Sequence, residues 1–346
     1  EDGSAKNIAS NDIRINVWVF SYARSMSSTV QMMFHTAFSQ PQTLLAYEPC
    51  YFQDRHIYSP SNDICRHTTD ECWRVQCARD LFRCDFSRIK KFINFAPGKH
   101  GKHNFFPMSP GKNHSSVFNP AEQNAALSNP MSFYTDSCLA SRSKVIKTIS
   151  VHDLNSVVPI LSNEPNLHVV YVVRDPRAIL ASMYTSKVHG KSIHQIHGEK
   201  ENIGAVCAYM DRNKDIQHPR IHVVEFDKIA TRPMQEFRRV FNEMGLDFGE
   251  DQEKFIRENF DADCSSEGFF SSCKGNSSAS IVKWQTSLSH LDRSLFDSDP
   301  HCQSILRHYG FADHSSKKSA KPTAESRRDE DGSAKNIASN DIRINV

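Results

Sequence analysis

Hydrophobic and polar positions along the chain form two repeating kinds of segment. Short apolar runs of strand length are each followed by a stretch with helical periodicity. The predicted strands cover residues 13–20, 43–47, 144–149, 167–173 and 221–226, and the predicted helices 27–38, 153–161, 176–187 and 234–244. Continuously apolar strands that alternate with helices predict an α/β fold, in which a parallel sheet has helices on both faces.

The segment 50–142 breaks this alternation. It is rich in Cys, His, Pro, Ser and Asn, and only residues 73–92 have a fair helical pattern. Long insertions of this kind in α/β proteins often lie over the strand ends and contact substrates. We therefore interpret 50–142 as an irregular Cys/His-rich insertion that forms a lid over the acceptor.

The two ends of the chain are identical in sequence. Residues 1–17 and 330–346 both read EDGSAKNIASNDIRINV, and the segment 313–329 before the second copy has the Ser/Lys/Arg-rich composition of a solvated linker. Either a second, tandem unit begins at Glu330, or the repeat is a gene-model artefact. The predicted domain is 13–312 in both cases.

Composition narrows the class of protein. The 346 residues carry a formal net charge of only +2, which gives no general reason to expect nucleic-acid binding. Ten cysteines and two sequons, at Asn113 and Asn276, favour an oxidising secretory compartment with disulfides. Free thiols and chance sequons are the alternative, and a zinc site is disfavoured because no Cys-x-x-Cys pair occurs.

No run of residues approaches the length of apolar sequence that spans a bilayer, and the polar start at Glu1 does not resemble a signal peptide. If the protein is secretory, we expect its targeting and membrane-anchoring segment to lie outside this chain.

Candidate chemistry lies where two predicted strands end. The first strand leads into a loop of arginine and small hydroxyl residues, which we call the first junction: Tyr22, Ala23, Arg24, Ser25, Met26, Ser27, Ser28 and Thr29. The fourth strand leads into Arg174, with Ser182 eight residues later in a predicted helix, and this is the second junction. Strand ends followed by helix N-termini suit phosphate or sulfate. Two such junctions, about 145 residues apart, predict a ligand with two anionic ends.

The first junction lacks the Gly-x-x-x-x-Gly-Lys-[Ser/Thr] pattern of a nucleotide kinase, and no metal-ligating aspartate cluster is evident. We therefore expect no metal. Arg24 and the neighbouring hydroxyls suit one anionic group, and Arg174 and Ser182 are placed to converge on a second. In the alternative interpretation, Arg174 pairs with Asp175 or Glu225 and Ser182 lies on a helix surface.

These motifs resemble those of the Golgi carbohydrate sulfotransferases, especially the group that sulfates the 6-hydroxyl of galactose, N-acetylglucosamine or N-acetylgalactosamine. That family has an Arg-Ser-Gly-Ser-Ser loop and an Arg-Asp-Pro-Arg-Ala…Ser segment, where this chain has Arg24-Ser25-Met26-Ser27-Ser28 and Arg174-Asp175-Pro176-Arg177-Ala178 with Ser182. Similar short matches occur at Tyr47-Glu48-Pro49, Val224-Glu225-Phe226-Asp227, Lys283-Trp284-Gln285 and Cys302…Tyr309-Gly310-Phe311. The resemblance covers most of 13–311 and is poor over 52–142.

The resemblance implies a Golgi-lumenal enzyme that transfers a sulfuryl group from PAPS (3′-phosphoadenosine 5′-phosphosulfate) to a glycan hydroxyl. By the same resemblance, the first junction binds the 5′-phosphosulfate, with Arg24 stabilising charge there, and Arg174 and Ser182 bind the 3′-phosphate. We expect Glu48 to be the general base, the alternative being a structural carboxylate that caps a turn or pairs with an arginine. His35 is a rival base within a helix, where a packing role is expected.

Two departures from the family pattern bear on activity. Met26 stands where the family loop has glycine, and a positive φ there would cost on the order of 1 kcal/mol. Gln285 stands in place of arginine, which removes one anion contact. A catalytically weak or inactive domain that binds glycans or nucleotides is therefore the main alternative. A nucleotide kinase or a disulfide-stabilised adhesion domain fits the sequence less well.

Overall fold

The computed structural model describes residues 14–22, 24–38, 43–47, 70–87, 130–149, 151–185, 187–188, 191–192, 201–261 and 278–311. The chain divides after Phe311 into two units, Glu1–Phe311 and Ala312–Val346, and all the described residues belong to the first. The predicted linker and the second terminal repeat lie outside the described residues. The domain limits inferred from sequence therefore stay predictions.

A parallel sheet of five strands forms the centre of the described fold. The strands are β1 (Asn16–Ser21), β2 (Thr43–Tyr47), β3 (Ser143–Thr148), β4 (Leu167–Val173) and β7 (Ile221–Glu225), in the order β2-β3-β1-β4-β7. Every neighbouring pair is parallel. Two short strands, β5 (Lys187–Val188) and β6 (Lys191–Ser192), form a separate antiparallel pair. The predicted α/β class with a parallel sheet is confirmed.

Both faces of the sheet are buried, as the continuous apolar strands predict. Along β1, Val17 and Val19 enter one core cluster, whereas Trp18 and Phe20 enter another on the opposite face, and all four side chains are fully buried. Successive strand residues point to opposite faces, so a strand covered on both sides has no polar alternation. This explains why β1 appears in the sequence as an unbroken apolar run.

Helices cover the two faces. They are α1 (Ser27–Thr36), α2 (Asp70–Phe82), α3 (Pro130–Ala140), α4 (Val158–Asn163), α5 (Pro176–Thr185), α6 (Glu201–Asn213), α7 (Phe226–Thr231), α8 (Pro233–Glu243), α9 (Glu250–Ile256), α10 (Ala279–Val282), α11 (Trp284–Ser287), α12 (His290–Ser298) and α13 (Pro300–His308). Helices α1, α7, α8 and α9 contribute to the cluster around Val17 and Val19. Helices α2, α4, α6 and α13 contribute to the cluster around Trp18 and Phe20.

Two predicted helices differ clearly from the structure. The helix predicted over 153–161 is a 3₁₀ turn, Leu154–Ser156, followed by α4. The Asp153 side chain accepts a hydrogen bond from the Asn155 amide, which favours a tight turn over a continuous helix. The helix predicted to reach residue 92 ends at Phe82, because Cys84 adopts a left-handed backbone conformation with φ 58°.

In the described part of segment 50–142, residues Pro130–Ala140 form the helix α3, where the sequence predicts irregular structure. A disulfide from Cys84 to Cys138 joins the end of α2 to α3, and a second disulfide from Cys207 to Cys302 joins α6 to α13. None of the cysteines whose side chains are described is free. Within the described part of the chain, no helix has the length and apolar character needed to cross a bilayer.

Candidate functional site

The strand order brings the two junctions together. β1 and β4 are parallel neighbours, and their last pairs are Phe20 with Tyr171 and Ser21 with Val172. From β1 the chain continues to β2 on one side of the sheet, whereas from β4 it continues to β7 on the other side. Such a topological switch point leaves a crevice at the carboxyl ends of the two strands, where α/β proteins bind ligands.

The first junction is built on two residues with left-handed backbone. Arg24 has φ 67° and Met26 has φ 65°, and Met26 is the N-cap residue of α1. Its carbonyl oxygen accepts hydrogen bonds from the amides of Thr29 and Val30, so α1 begins directly after it. The position where glycine is expected therefore does need a positive φ.

The cost of Met26 in this conformation is offset by packing. The Met26 side chain is only 8% exposed and lies in the core cluster with Val30 and Met33 of α1. Burying a methionine side chain contributes roughly 1.5–3 kcal/mol, which is of the same order as the backbone cost. The departure from glycine thus leaves the helix start in place.

Ser25 lies between these two left-handed residues. It is fully buried, and its hydroxyl has no hydrogen-bond partner among the described residues. An unsatisfied buried hydroxyl costs about 1–3 kcal/mol. Such a donor fits an anion bound in the loop, which would accept its hydrogen bond.

The second junction contacts the first directly. Arg174 Nη1 donates to the carbonyl oxygen of Arg24 at 2.6 Å, although the two residues are 150 positions apart. Arg174 Nη2 donates to the carbonyl oxygen of Ser280 in α10 at 3.3 Å, and the guanidinium lies 4.1 Å from the centroid of the Phe226 ring. Its Nε, which is buried, has no hydrogen-bond partner among the described residues.

Burial, together with the charge of Arg24, lowers the pKa of Arg174 to about 10, while Asp175 and Asp227 act in the opposite direction. Arg174 is therefore still a cation at neutral pH. A buried cation with an unpaired N–H favours an anionic ligand, because the ligand would supply both a charge and an acceptor.

Ser182 is contacted by Arg24, within the described residues, and not by Arg174. Arg24 Nε donates to the Ser182 hydroxyl oxygen at 3.0 Å. The sequence predicts that Arg174 and Ser182 converge on one phosphate, whereas the structure connects them through Arg24. The crevice therefore holds Arg24, Ser182 and Arg174 as one linked group.

Asp175 and Glu225, the alternative partners of Arg174, form ion pairs with other residues. Asp175 forms a buried bidentate ion pair with Arg177, with a shortest distance of 2.8 Å. Glu225 at the end of β7 pairs with Lys228 at 2.6 Å. Arg174 is thus not paired at short range with either carboxylate.

Lys147 is a site residue that the sequence interpretation missed. It is the penultimate residue of β3, its side chain is 1% exposed, and its Nζ donates to the hydroxyl of Ser28 in the first turn of α1 at 3.2 Å. A lysine is almost never fully buried without a specific reason. The signal in the sequence was a charged residue that interrupts an apolar run just before the strand ends.

The remaining predicted residues are Tyr22, His35, Ala23 and Glu48, and the structure describes the first two. The Tyr22 ring stacks on His152 with centroids 5.2 Å apart, and its hydroxyl donates to the His152 carbonyl at 3.3 Å. His35 lies in the last turn of α1, about 12 Å along the helix from its start. Burial lowers the His35 pKa to about 4, so the imidazole is neutral at pH 7. Ala23 and Glu48 lie outside the described residues.

Among the described residues, no group of three or more His, Cys, Asp or Glu side chains is arranged to hold a metal ion. Arg24 and Arg174 bring two cationic side chains to the switch point, and Lys147 lies at the start of α1 through its bond to Ser28.

Known sulfotransferases resemble this chain in sequence. The profile of a family described as "Sulfotransferase domain" matches residues 14–272, about three quarters of the chain. Carbohydrate sulfotransferase 3 of Rattus norvegicus is 25% identical over 172 residues, which are 44% of this chain and 36% of that protein. Carbohydrate sulfotransferase 4 of Mus musculus is 24% identical over 68% of this chain and 66% of its own length.

The chain thus aligns with about a third to two thirds of the length of these relatives. Among solved structures, the sulfotransferase domain from the Synechococcus PCC 7002 olefin synthase is similar over 86% of this chain and 94% of its own, with a TM-score of 0.41 and 11% identity.

Proposed function

The chain belongs to the sulfotransferase domain family, and from this we propose that it transfers a sulfuryl group from PAPS to a hydroxyl of a sugar in a glycan or glycosaminoglycan, with the 6-hydroxyl as the expected position. The names of the similar proteins support a carbohydrate acceptor. The observation that carries the proposal is the contact between the two junctions, which unites Arg24, Ser182 and Arg174 at the end of two adjacent strands.

The residues of the crevice fit a nucleotide with phosphates at both ends. PAPS, when bound, supplies the activated sulfuryl group. We assign the 5′-phosphosulfate to the first junction, where the Ser25 hydroxyl and the start of α1 offer donors. We assign the 3′-phosphate to Arg174 and Ser182, supported by the unpaired Nε of Arg174.

Two cationic side chains, Arg24 and Lys147, act directly in the proposed reaction. As the acceptor oxygen bonds to sulfur and the bond from sulfur to the phosphate oxygen breaks, negative charge grows on the departing phosphate. Arg24 and Lys147 stabilise that charge from fixed positions. Arg24 is hydrogen-bonded to Ser182, and Lys147 is hydrogen-bonded to Ser28 at the start of α1. Glu48 takes the proton of the sugar hydroxyl as general base.

We also propose that the protein works in the lumen of the secretory pathway, in the Golgi, as a membrane-anchored enzyme. The disulfides Cys84–Cys138 and Cys207–Cys302 support an oxidising compartment.

The decisive experiment is transfer of radiolabelled sulfate from PAPS across a panel of glycan acceptors, paired with calorimetry of PAP, the desulfated nucleotide. We expect PAP binding and labelling of a subset of acceptors at a 6-hydroxyl. Binding of PAP with no transfer to any acceptor would support the inactive binding domain that the Met26 departure raises. Binding of ATP in preference to PAP would overturn the proposal in favour of a nucleotide kinase.

A further inference from the structure

Arg177 connects the second junction to the carboxyl-terminal end of the domain. Its side chain is nearly buried, with 6% exposure. The guanidinium forms the bidentate ion pair with Asp175, donates from Nη2 to the carbonyl oxygen of Phe311 at 2.5 Å, and lies 3.9 Å from the centroid of the Trp284 ring. We call these four residues, Asp175, Arg177, Trp284 and Phe311, the clasp.

The clasp is well suited to hold a fixed geometry. Arg177 uses Nε and Nη2 for hydrogen bonds and one face of its guanidinium for the aromatic ring. Asp175 and Trp284 are 1% and 3% exposed. Charge-assisted bidentate bonds and cation–π contacts are strongest where water is excluded. Asp175 also accepts a hydrogen bond from the Arg177 amide at 2.8 Å, which ties the clasp to the first turn of α5.

A chain of contacts leads from the clasp to the ligand crevice. Trp284 begins α11, which follows directly on α10, and α10 contains Ser280. The Ser280 carbonyl accepts from Nη2 of Arg174. Nη1 of the same guanidinium holds the carbonyl of Arg24 in the first junction. A shift of α10 and α11 would therefore release one side of Arg174 and change its hold on Arg24.

We propose that Arg177 is a positioning residue for nucleotide binding, which acts through Trp284 and Ser280 to orient Arg174 and, through Arg174, the first junction. The proposal rests on the proposed function, since it assigns to Arg177 a part in forming the PAPS site without contacting the nucleotide. Small displacements of binding groups can cost as much as 100-fold in rate or affinity.

The first test exchanges the arginine for lysine. Arg177→Lys keeps the charge next to Asp175 but loses the planar fork, so the protein is expected to fold while the clasp loosens. The matched control is Arg239→Lys, because Arg239 also forms a bidentate pair, with Glu236, on α8. We expect Arg177→Lys to weaken PAP binding roughly 10- to 100-fold, and Arg239→Lys to bind like the wild type.

The second test addresses Trp284. Trp284→Phe keeps an aromatic face, and the indole Nε1 that it removes has no hydrogen-bond partner among the described residues. Trp284→Leu keeps apolar bulk but removes the aromatic face. We expect the phenylalanine variant to retain PAP affinity and the leucine variant to lose it to a similar extent as Arg177→Lys, at melting temperatures close to each other.

Hydrogen exchange of the amides of residues 24–29, in the protein without nucleotide, gives a readout that does not depend on PAP binding. The proposal expects faster exchange in Arg177→Lys and Trp284→Leu only. Wild-type PAP affinity in Arg177→Lys overturns it, as does equal loss in both tryptophan variants. If the wild type itself does not bind PAP, the proposed function fails, and unchanged exchange at 24–29 then overturns the clasp as well.

Discussion

Arg174 holds the backbone of Arg24 through a hydrogen bond of 2.6 Å between its Nη1 and the Arg24 carbonyl oxygen. The bond joins the loop after β1 to the loop after β4. Arg24 has a left-handed backbone, which is rare for a residue with a side chain. The buried Arg174 guanidinium thus stabilises an unusual backbone conformation at the ligand crevice. It is free to do so because Asp175 and Glu225 pair with other residues.

Replacing this arginine tests its role. Arg174→Ala should raise the PAPS concentration needed for half-maximal rate by roughly 100-fold, because it removes a buried cation and the support of Arg24 together. The acceptor KM should change little. Steady-state kinetics with each substrate varied in turn measures both quantities. Arg238→Ala is the control, since Arg238 is half-exposed on α8, where it pairs with Glu253 and lies 5.2 Å from the centroid of the Phe248 ring. Equal effects on both KM values would contradict the assignment.

The proposed base is tested at Glu48. Glu48→Gln removes the proton acceptor but keeps the size and polarity of the side chain, so turnover should fall by about 10²- to 10⁴-fold while calorimetry still detects normal PAP affinity. Glu225→Gln, which changes a carboxylate at the end of β7, should keep near-normal turnover. A fully active Glu48→Gln enzyme would rule out the base role.

Lys147 provides a prediction that separates catalysis from stability. Lys147→Met should lower turnover by two orders of magnitude or more, about 3 kcal/mol of charge stabilisation. Because the amine is buried, its replacement by an apolar side chain of similar length should leave the melting temperature unchanged or higher. Lys144→Met, at the other end of β3, is the control. A large loss of stability with intact turnover would make Lys147 a structural residue.

Met26 makes opposing contributions that a single variant can separate. Met26→Gly relieves the left-handed backbone, worth about 1–2 kcal/mol, but loses the burial of the side chain, worth roughly 1.5–3 kcal/mol. We expect a net destabilisation of about 1 kcal/mol in urea unfolding, with PAP affinity retained. A more stable Met26→Gly protein would mean that packing of the methionine contributes little.

Buried histidines predict how stability depends on pH. Burial lowers the pKa of His35 to about 4 and, together with the charges of His222 and Arg220, lowers that of His168 to about 4 as well. The folded state therefore resists protonation that the unfolded chain accepts near pH 6.5. The contribution of these histidines to the free energy of unfolding is fully present above pH 6.5, and it is lost as the pH falls toward 4.

For His35 alone the loss is about 3 kcal/mol. Urea unfolding at pH 7, 6 and 5 should show a steady decline that is smaller in His35→Gln, whose side chain does not titrate. The same dependence in both proteins would contradict the assignment to His35.

The strands were predictable from the sequence because their burial on both faces leaves a local signal. Leu167–Val173 is predicted and observed with the same limits, since its apolar run is bounded by polar residues at each end. The helix ends were less predictable. The stop of α2 depends on the left-handed Cys84 and its disulfide to Cys138, a partner 54 residues away that no local pattern indicates.

Two strand-to-helix junctions with residues suited to anions, around Arg24 and Arg174, were predictable because residue type and strand length are local properties of the sequence. The sequence also marked Met26 as a departure from the glycine of the family loop, whereas the positive φ of Met26 is a finding of the structure. The contacts between distant residues depend on the folded chain: Arg174 holds the Arg24 carbonyl, Arg24 and not Arg174 contacts Ser182, and Lys147 contacts Ser28 at the start of α1. Those contacts follow from the strand order β2-β3-β1-β4-β7, which sets which carboxyl ends are neighbours and depends on packing between residues far apart in the chain.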